Sequence, residues 1–203
     1  MAKIVADITM SLDGYVTGPG ADPDHGLGIG GEPIHNWVFG DDPVDAEVLQ
    51  ESTESTGAVV MGRRLFDVVD GPNGWDDSVG YGAAENQATT GPPIFVVTHN
   101  PPMSWRLGPR FSFTTSLAEA VNAARAVAGD KDVFIMGGGD TIRQAVREGL
   151  ADELRIHLSP IVMGTGTPLF QPEPGFEPLE MRQVDVRVSS NATHLIYEIA
   201  KDR

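Results

Sequence analysis

Cysteine is absent from the 203 residues. That absence removes disulfides, thiolate metal ligands and thiol nucleophiles together. Basic residues are scarce, with 14 Lys and Arg against 29 Asp and Glu for a net charge of −15. A field of that sign repels polyanions, so neither nucleic acid nor an anionic membrane is an expected partner. Any phosphate has to be held locally, by a few arginines and backbone amides. Long apolar runs are missing too, and no stretch approaches the ~20 residues that span a bilayer. Met1-Ala2-Lys3 leads straight into the strand-like Ile4-Val5-Ala6 with no signal-peptide pattern, so a cytoplasmic protein is expected. The histidines (His25, His35, His99, His157 and His194) show no local ligand spacing, and no metal is expected. Neither a G-x-S-x-G elbow nor a P-loop occurs.

What is present describes an ordinary globular domain. Hydrophobic residues make up 40% and charged residues 21%, and the length suits one domain over residues 1–203. Ile4 to Met10 reads as a strand, followed by a Gly-, Pro- and Asp-rich connection over residues 11–41. Connections of that length usually cover or bind something. Asp42-Pro43 has the form of an N-cap with Pro at the first helical position, opening a helix to about Thr56. Ala58 to Met61 and Ile94 to Val97 are short apolar strands. Gly62-Arg63-Arg64 opens a helix between them, and a short helix is expected near Ala83 to Ala88. Ser116 with Glu119 makes a capping box before the stripe Leu117, Ala120, Val121, Ala124 and Val127, closed by Gly129. Val133 to Met136 is a strand, Asp140 to Glu148 a helix, and Leu154 to Leu158 a further strand. Val184, Val186 and Val188 alternate with polar residues, and Ser190-Asn191 turns the chain into Thr193 to Ile199, a terminal hairpin. Strands alternating with helices predict an α/β domain around a mostly parallel sheet.

Such sheets bind ligands outside the carboxyl ends of their strands, where helix N-termini offer free amides. Two strand-glycine-helix junctions fit: Val60-Met61-Gly62-Arg63-Arg64 and Ile135-Met136-Gly137-Gly138-Gly139-Asp140. Glycine lets a backbone approach a phosphate, and the arginine pair supplies fixed positive charge. Each junction alone reads equally well as a tight turn; two in one small domain favour a ligand. A literal G-x-G-x-x-G from Gly26 through Gly28 to Gly31 follows no strand and opens no helix, so it is set aside. Asp45 shares a helical face with Val48, Leu49 and Ser52. That places a carboxylate inward, either to bind a cationic or amidine-like nitrogen or simply to favour the helix N-terminus; both readings stay open. Trp37, Trp75 and Trp105 fall in connections and are read as packing.

At this point the chain becomes recognisable. Met10-Ser11-Leu12-Asp13-Gly14, Gly149-Leu150-Ala151-Asp152-Glu153-Leu154 and Gly164-Thr165-Gly166-Thr167-Pro168 resemble the reductase (RibD C-terminal) domain of riboflavin biosynthesis. Met61-Gly62-Arg63 and Gly137-Gly138-Gly139 resemble the matching junctions of dihydrofolate reductase. The resemblance implies a dihydrofolate-reductase-like α/β/α three-layer fold, with a mostly parallel mixed central sheet and a C-terminal β-hairpin. It implies NADPH as cofactor and a homodimer. By the same resemblance, Thr9 and Val16 flank the nicotinamide and substrate, and Gly62, Arg63, Arg64 and Leu65 meet phosphates. Val97, Thr98 and His99 lie near the adenosine 2′-phosphate, and Gly138, Gly139, Asp140, Thr141 and Ile142 cradle the pyrophosphate. Residues 14–38 correspond to a loop covering the nicotinamide, and Asp45 to the substrate-holding acid. The riboflavin enzymes carry a substrate-contacting Glu just before the glycine pair, where Gly137 stands. The expected activity is hydride transfer from NADPH to a C=N or C=O group of a pterin- or pyrimidine-like heterocycle. The alternatives are 5-amino-6-(5-phosphoribosylamino)uracil reductase or a non-catalytic nucleotide-binding protein.

Overall fold

The computed structural model describes residues 2–76, 80, 91–171 and 178–200. In chain order the elements are β1 (Ile4–Ser11), β2 (Tyr15–Thr17), a 3₁₀ turn (Glu32–His35), α1 (Asn36–Phe39), α2 (Pro43–Ser55), β3 (Thr56–Gly62) and α3 (Arg63–Asp70). They continue with β4 (Ile94–Val97), β5 (Phe111–Thr114), α4 (Leu117–Val127), β6 (Asp132–Ile135), α5 (Gly139–Arg147), β7 (Glu153–Ser159), β8 (Thr167–Pro168), β9 (Met181–Val188) and β10 (Thr193–Ile199). The short helix expected near 83–88 lies outside the described residues.

Eight strands form one sheet in the order β5-β4-β3-β6-β1-β7-β10-β9. The first six are mutually parallel. The β9–β10 hairpin closes one edge antiparallel. The dihydrofolate-reductase-like α/β architecture is therefore present, with a small second sheet of β2 and β8 that the sequence reading did not foresee.

Parallel central strands are buried on both faces, which is why Ile4, Val5 and Ala6 of β1 are all inaccessible. Alternate residues then serve two different layers. Ile4, Ala6, Val60, Ile135 and Leu154 pack with Leu117, Val121 and Ala124 of α4 and Ile142 of α5. On the other face, Val59, Met61, Ile94, Val96 and Phe111 pack with Phe66 and Val69 of α3. Beyond Val5 that second face of β1 turns polar, with Asp7, Thr9 and Ser11, and β7 matches it with Arg155, His157 and Ser159 in register. Helix α2 lies over this polar area.

Several boundaries differ from the sequence reading. Residues 11–41 are not a connection without structure: they hold β2, the 3₁₀ turn and α1. Each is too short for periodicity to register, and tertiary pairing with β8 fixes β2. Strand β5 was missed for the same reason, since only Phe111 and Phe113 mark it. Helix α2 starts as expected, with the Asp42 side chain accepting from the Val44 amide at 3.0 Å. Among the described residues no helix is long and apolar enough to cross a membrane.

Candidate functional site at the strand ends

Because β3 and β6 are neighbours, the sheet brings the two glycine corners together at its carboxyl edge. The Gly62 amide donates to the Gly137 carbonyl at 3.0 Å, and the Met136 amide to Val60 at 3.1 Å. A side chain at Gly62 would strike the Thr141 hydroxyl, so only glycine permits this approach. Gly137 has φ +104° and lies beside Leu65 and Ile8. A Cβ built on Gly138 meets nothing within 4 Å, so the start of α5 is open above that residue. Gly138 is the N-cap residue of α5 and carries no side-chain cap, leaving the helix end to amides.

Charge gathers at the same corner. Asp140 accepts from Arg64 at 3.3 Å and also from Arg143. Arg64 is 91% exposed and free to swing, whereas the Arg143 guanidinium is fixed by the carbonyls of Pro168 and Leu169 at 2.8 and 2.9 Å. Arg63 points elsewhere, onto Asp67 at 2.7 Å and the Asn100 carbonyl. Arg143 was not among the sequence candidates. Its four-residue spacing from Gly139 on α5 was the available signal.

The remaining candidates divide by role. Val16 is buried and packs on Gly139, while Leu65 borders Gly137. Thr141 and Ile142 both donate their amides to Gly138 O, at 2.9 and 3.2 Å. Ile142 is also wholly buried in the core, so its contribution is to support the corner from behind. Val97 is half-buried at the end of β4; Thr98 is buried, its hydroxyl accepting from the Asn100 amide at 3.1 Å, and His99 is exposed. Gly26, Gly28 and Gly31 form no nucleotide loop. They close a turn in which Gly18 donates to Leu27 and Ile29 to Pro19, at 2.8 and 2.9 Å.

The fold that carries these corners has known relatives. The RibD C-terminal domain model matches residues 2–195. The chain belongs to the RibD C-terminal domain family. A putative riboflavin biosynthesis protein from Shewanella sp. PV-4 superposes with a TM-score of 0.68, 22% identity and coverage of 98% of this chain and 99% of that one. A pyrimidine reductase-like protein from Corynebacterium diphtheriae gives a TM-score of 0.64, 18% identity and coverage of 99% and 93%. A diaminohydroxyphosphoribosylaminopyrimidine deaminase/5-amino-6-(5-phosphoribosylamino)uracil reductase from Thermotoga maritima gives 0.62 at 12% identity, and this RibD-family chain spans 57% of its length. Among curated proteins, the uncharacterised protein YyaP of Bacillus subtilis (strain 168) is 31% identical over 83 residues, which are 40% of this chain and 43% of that protein.

Within this family fold, Asp45 occupies a sealed position. It is 1% exposed, and its carboxylate accepts from His194 Nε2 at 2.8 Å and Asn191 Nδ2 at 3.0 Å. The helix-face argument placed Asp45 inward, and it lies inward, but its oxygens already have protein partners. Trp37, read as a connection residue, sits in α1, buried at 5% exposure, and donates its indole N–H to Thr9 Oγ1 at 3.0 Å. Thr9 therefore carries an aromatic wall above it. His157 and His194 were passed over because metal spacing is local, whereas these two are cross-strand partners 37 residues apart. The alternation Glu153-Leu154-Arg155-Ile156-His157 is the signal that could have placed His157 on the polar face.

Proposed function

We propose that this chain is an NADPH-dependent reductase that transfers hydride to a C=N or C=O group of a small pyrimidine- or pterin-like heterocycle. The observation that supports it best is the joined pair of glycine corners, held by the Gly62–Gly137 hydrogen bond at 3.0 Å, with an open helix start at Gly138 and two arginines beside it. The residues fit a pyrophosphate: free amides at an α-helix start, space where a Cβ would stand, and cations on an otherwise acidic chain. Gly138 and Gly139 would hold the phosphates, and Arg64 and Arg143 would exchange their hold on Asp140 for the anion. Leu65 and Val16 would wall the reduced ring and keep water from it. NADPH, when bound, supplies the hydride. The chain's own work is alignment and exclusion of solvent, since correct placement alone accounts for much of such a rate.

The family membership favours a second reading, 5-amino-6-(5-phosphoribosylamino)uracil as substrate. Gly137 leaves no carboxylate before the glycine pair, which supports a different heterocycle. NADPH and NADH are titrated first, and pyrimidines, pterins and small carbonyls are then screened for loss of nicotinamide absorbance. Affinity for both cofactors weaker than about 1 mM would falsify the reductase reading. Tight binding without turnover on any substrate would favour a nucleotide-binding protein.

The homodimer belongs to the same proposal. Edge strand β9 leaves Val186 and Val188 41% and 67% exposed on the sheet face shared with Leu195, an apolar stripe suited to a second copy. Sedimentation of wild type against Val186→Lys tests it, with a monomeric wild type counting against the dimer.

A further inference from the structure

Beneath α2 runs an unbroken file of four titratable side chains. His157 Nε2 meets the Asp7 carboxylate at 3.2 Å, and His157 Nδ1 meets His194 Nδ1 at 2.7 Å. His194 Nε2 in turn meets Asp45 Oδ1 at 2.8 Å. Both imidazoles are 3% exposed, Asp45 1%, and only the Asp7 side chain, at 21%, has some access to solvent. Trp37 covers both rings, its centroid 4.2 Å from His157 and 5.1 Å from His194.

Proton counting constrains this file. Each of its three contacts needs one hydrogen between the atoms. Two neutral imidazoles beside two carboxylates carry only two protons, which would leave bare lone pairs facing each other across the Nδ1–Nδ1 contact. Three contacts therefore require three protons. Two carboxylates and two imidazoles holding three protons carry one net negative charge, whichever atom holds the third.

We infer that Asp7, His157, His194 and Asp45 form a single proton-holding unit of net charge −1, whose shared proton fastens the segment from Ile34 to Asp45 over Thr9. The fastening is visible on both sides. Ser159 Oγ donates to the Ile34 carbonyl, the Ser190 amide donates to Asp42 at 2.9 Å, and Asn191 reaches Asp45. Trp37 rests on the rings while bonding Thr9. His157 is the charged member and His194 the neutral one that donates to Asp45. Burial depresses His194, opposed by its bond to Asp45. Burial pushes the Asp7 carboxyl up, yet the charge and hydrogen bond of His157, with help from Arg155 and His194, bring it below the usual range.

The surrounding charges leave this balance intact. On β7, Arg155 is paired with Glu153 at 2.7 Å, which also takes Lys3 at 2.7 Å. On β9, Arg187 bridges Asp185 at 3.0 Å and Glu51 of α2 at 2.9 Å. His35, on the 3₁₀ turn, is pushed down to about 4 by burial and by His157, so it is neutral near pH 7.

The unit rests on the reductase reading only in its consequence, that Thr9 and Trp37 wall the nicotinamide side. Histidine-selective ¹⁵N NMR on the full chain tests the proton count without any turnover. Three N–H protons on the pair at neutral pH, with one strongly downfield and shared, is the expected result. Two neutral rings with one N–H each would overturn the unit. Asp7→Asn, which removes the outer counter-charge, should shift loss of the third proton to lower pH; an unmoved titration would also overturn it. In turnover, His157→Gln keeps a donor to Asp7 but cannot carry the charge. It should lower kcat roughly tenfold or more and flatten its fall at alkaline pH, while leaving NADPH affinity unchanged. A wild-type pH profile in His157→Gln would overturn the fastening role. Absence of turnover in the wild type would strike the reductase reading alone, because the NMR count stands apart from it.

Discussion

The Gly62 amide donates to the Gly137 carbonyl, and this bond at 3.0 Å joins two loops that lie 75 residues apart in the chain. Substitutions here separate folding from cofactor binding. Gly62→Ala places a methyl against the Thr141 hydroxyl and should destabilise the fold by about 1–3 kcal/mol as overpacking. Gly138→Ala meets no neighbour in the protein, so its methyl occupies the space proposed for the pyrophosphate. It should weaken NADPH at least ~10-fold, about 1.4 kcal/mol, with a smaller loss of stability than Gly62→Ala. Calorimetric binding beside thermal melts of both variants checks this. Equal NADPH affinity in Gly138→Ala and wild type would move the phosphate site elsewhere.

Arg64 and Arg143 differ in what else they hold. Arg64 is exposed and, among the described residues, pairs with Asp140 at 3.3 Å, so Arg64→Ala should cost NADPH affinity and little stability. Arg143 also binds the Pro168 and Leu169 carbonyls, so Arg143→Ala should loosen β8 from α5 as well. Protease sensitivity around residues 160–170 reads the second effect. An Arg64→Ala variant with undiminished NADPH binding would remove that arginine from the site.

Asp45 makes a sharper case. Truncation to alanine leaves His194 and Asn191 without their buried acceptor, and each buried donor left unsatisfied typically costs about 1–3 kcal/mol. Asp45→Asn retains an acceptor for His194 and should lose less. Urea melts of the two variants decide it. Equal stabilities would show that the carboxylate's charge, and not its hydrogen bonding, is what the fold requires.

How far the sequence disclosed these features depends on their range. The strand-glycine-helix junctions were legible because the residues that build each corner are contiguous: Met61-Gly62-Arg63 and Met136-Gly137-Gly138-Gly139. Their adjacency followed from a parallel sheet, once β3 and β6 are neighbours. The Asp7–His157–His194–Asp45 file was not legible, since its members come from β1, β7, β10 and α2. Periodicity put Asp45 inward, but only strand register revealed His194 as its partner. Likewise β2 and β8 owe their existence to pairing with each other, which no local window contains.

Acid should weaken the fold in two separable steps. His35 stands at about 4 in the folded chain against 6.5 ordinarily, because burial and His157 oppose its charge. The unfolded chain therefore takes up a proton that the folded chain refuses, and stability falls as pH drops from about 6.5 towards 4. His35→Gln should flatten that part of the melting curve. Asp13 gives the second step in the same direction but by the opposite cause, stabilisation of its charged form: the Met163 amide, the Ser11 hydroxyl and the Gly164 amide hold its carboxyl at about 2. Its contribution is present above the ordinary 3.8 and is lost as pH falls from there towards 2. Asp13→Asn should leave the His35 step untouched while freeing the loop at Met163 and Gly164, seen as faster amide exchange at those two residues. A single step shared by both variants would mean that neither group governs the acid limb.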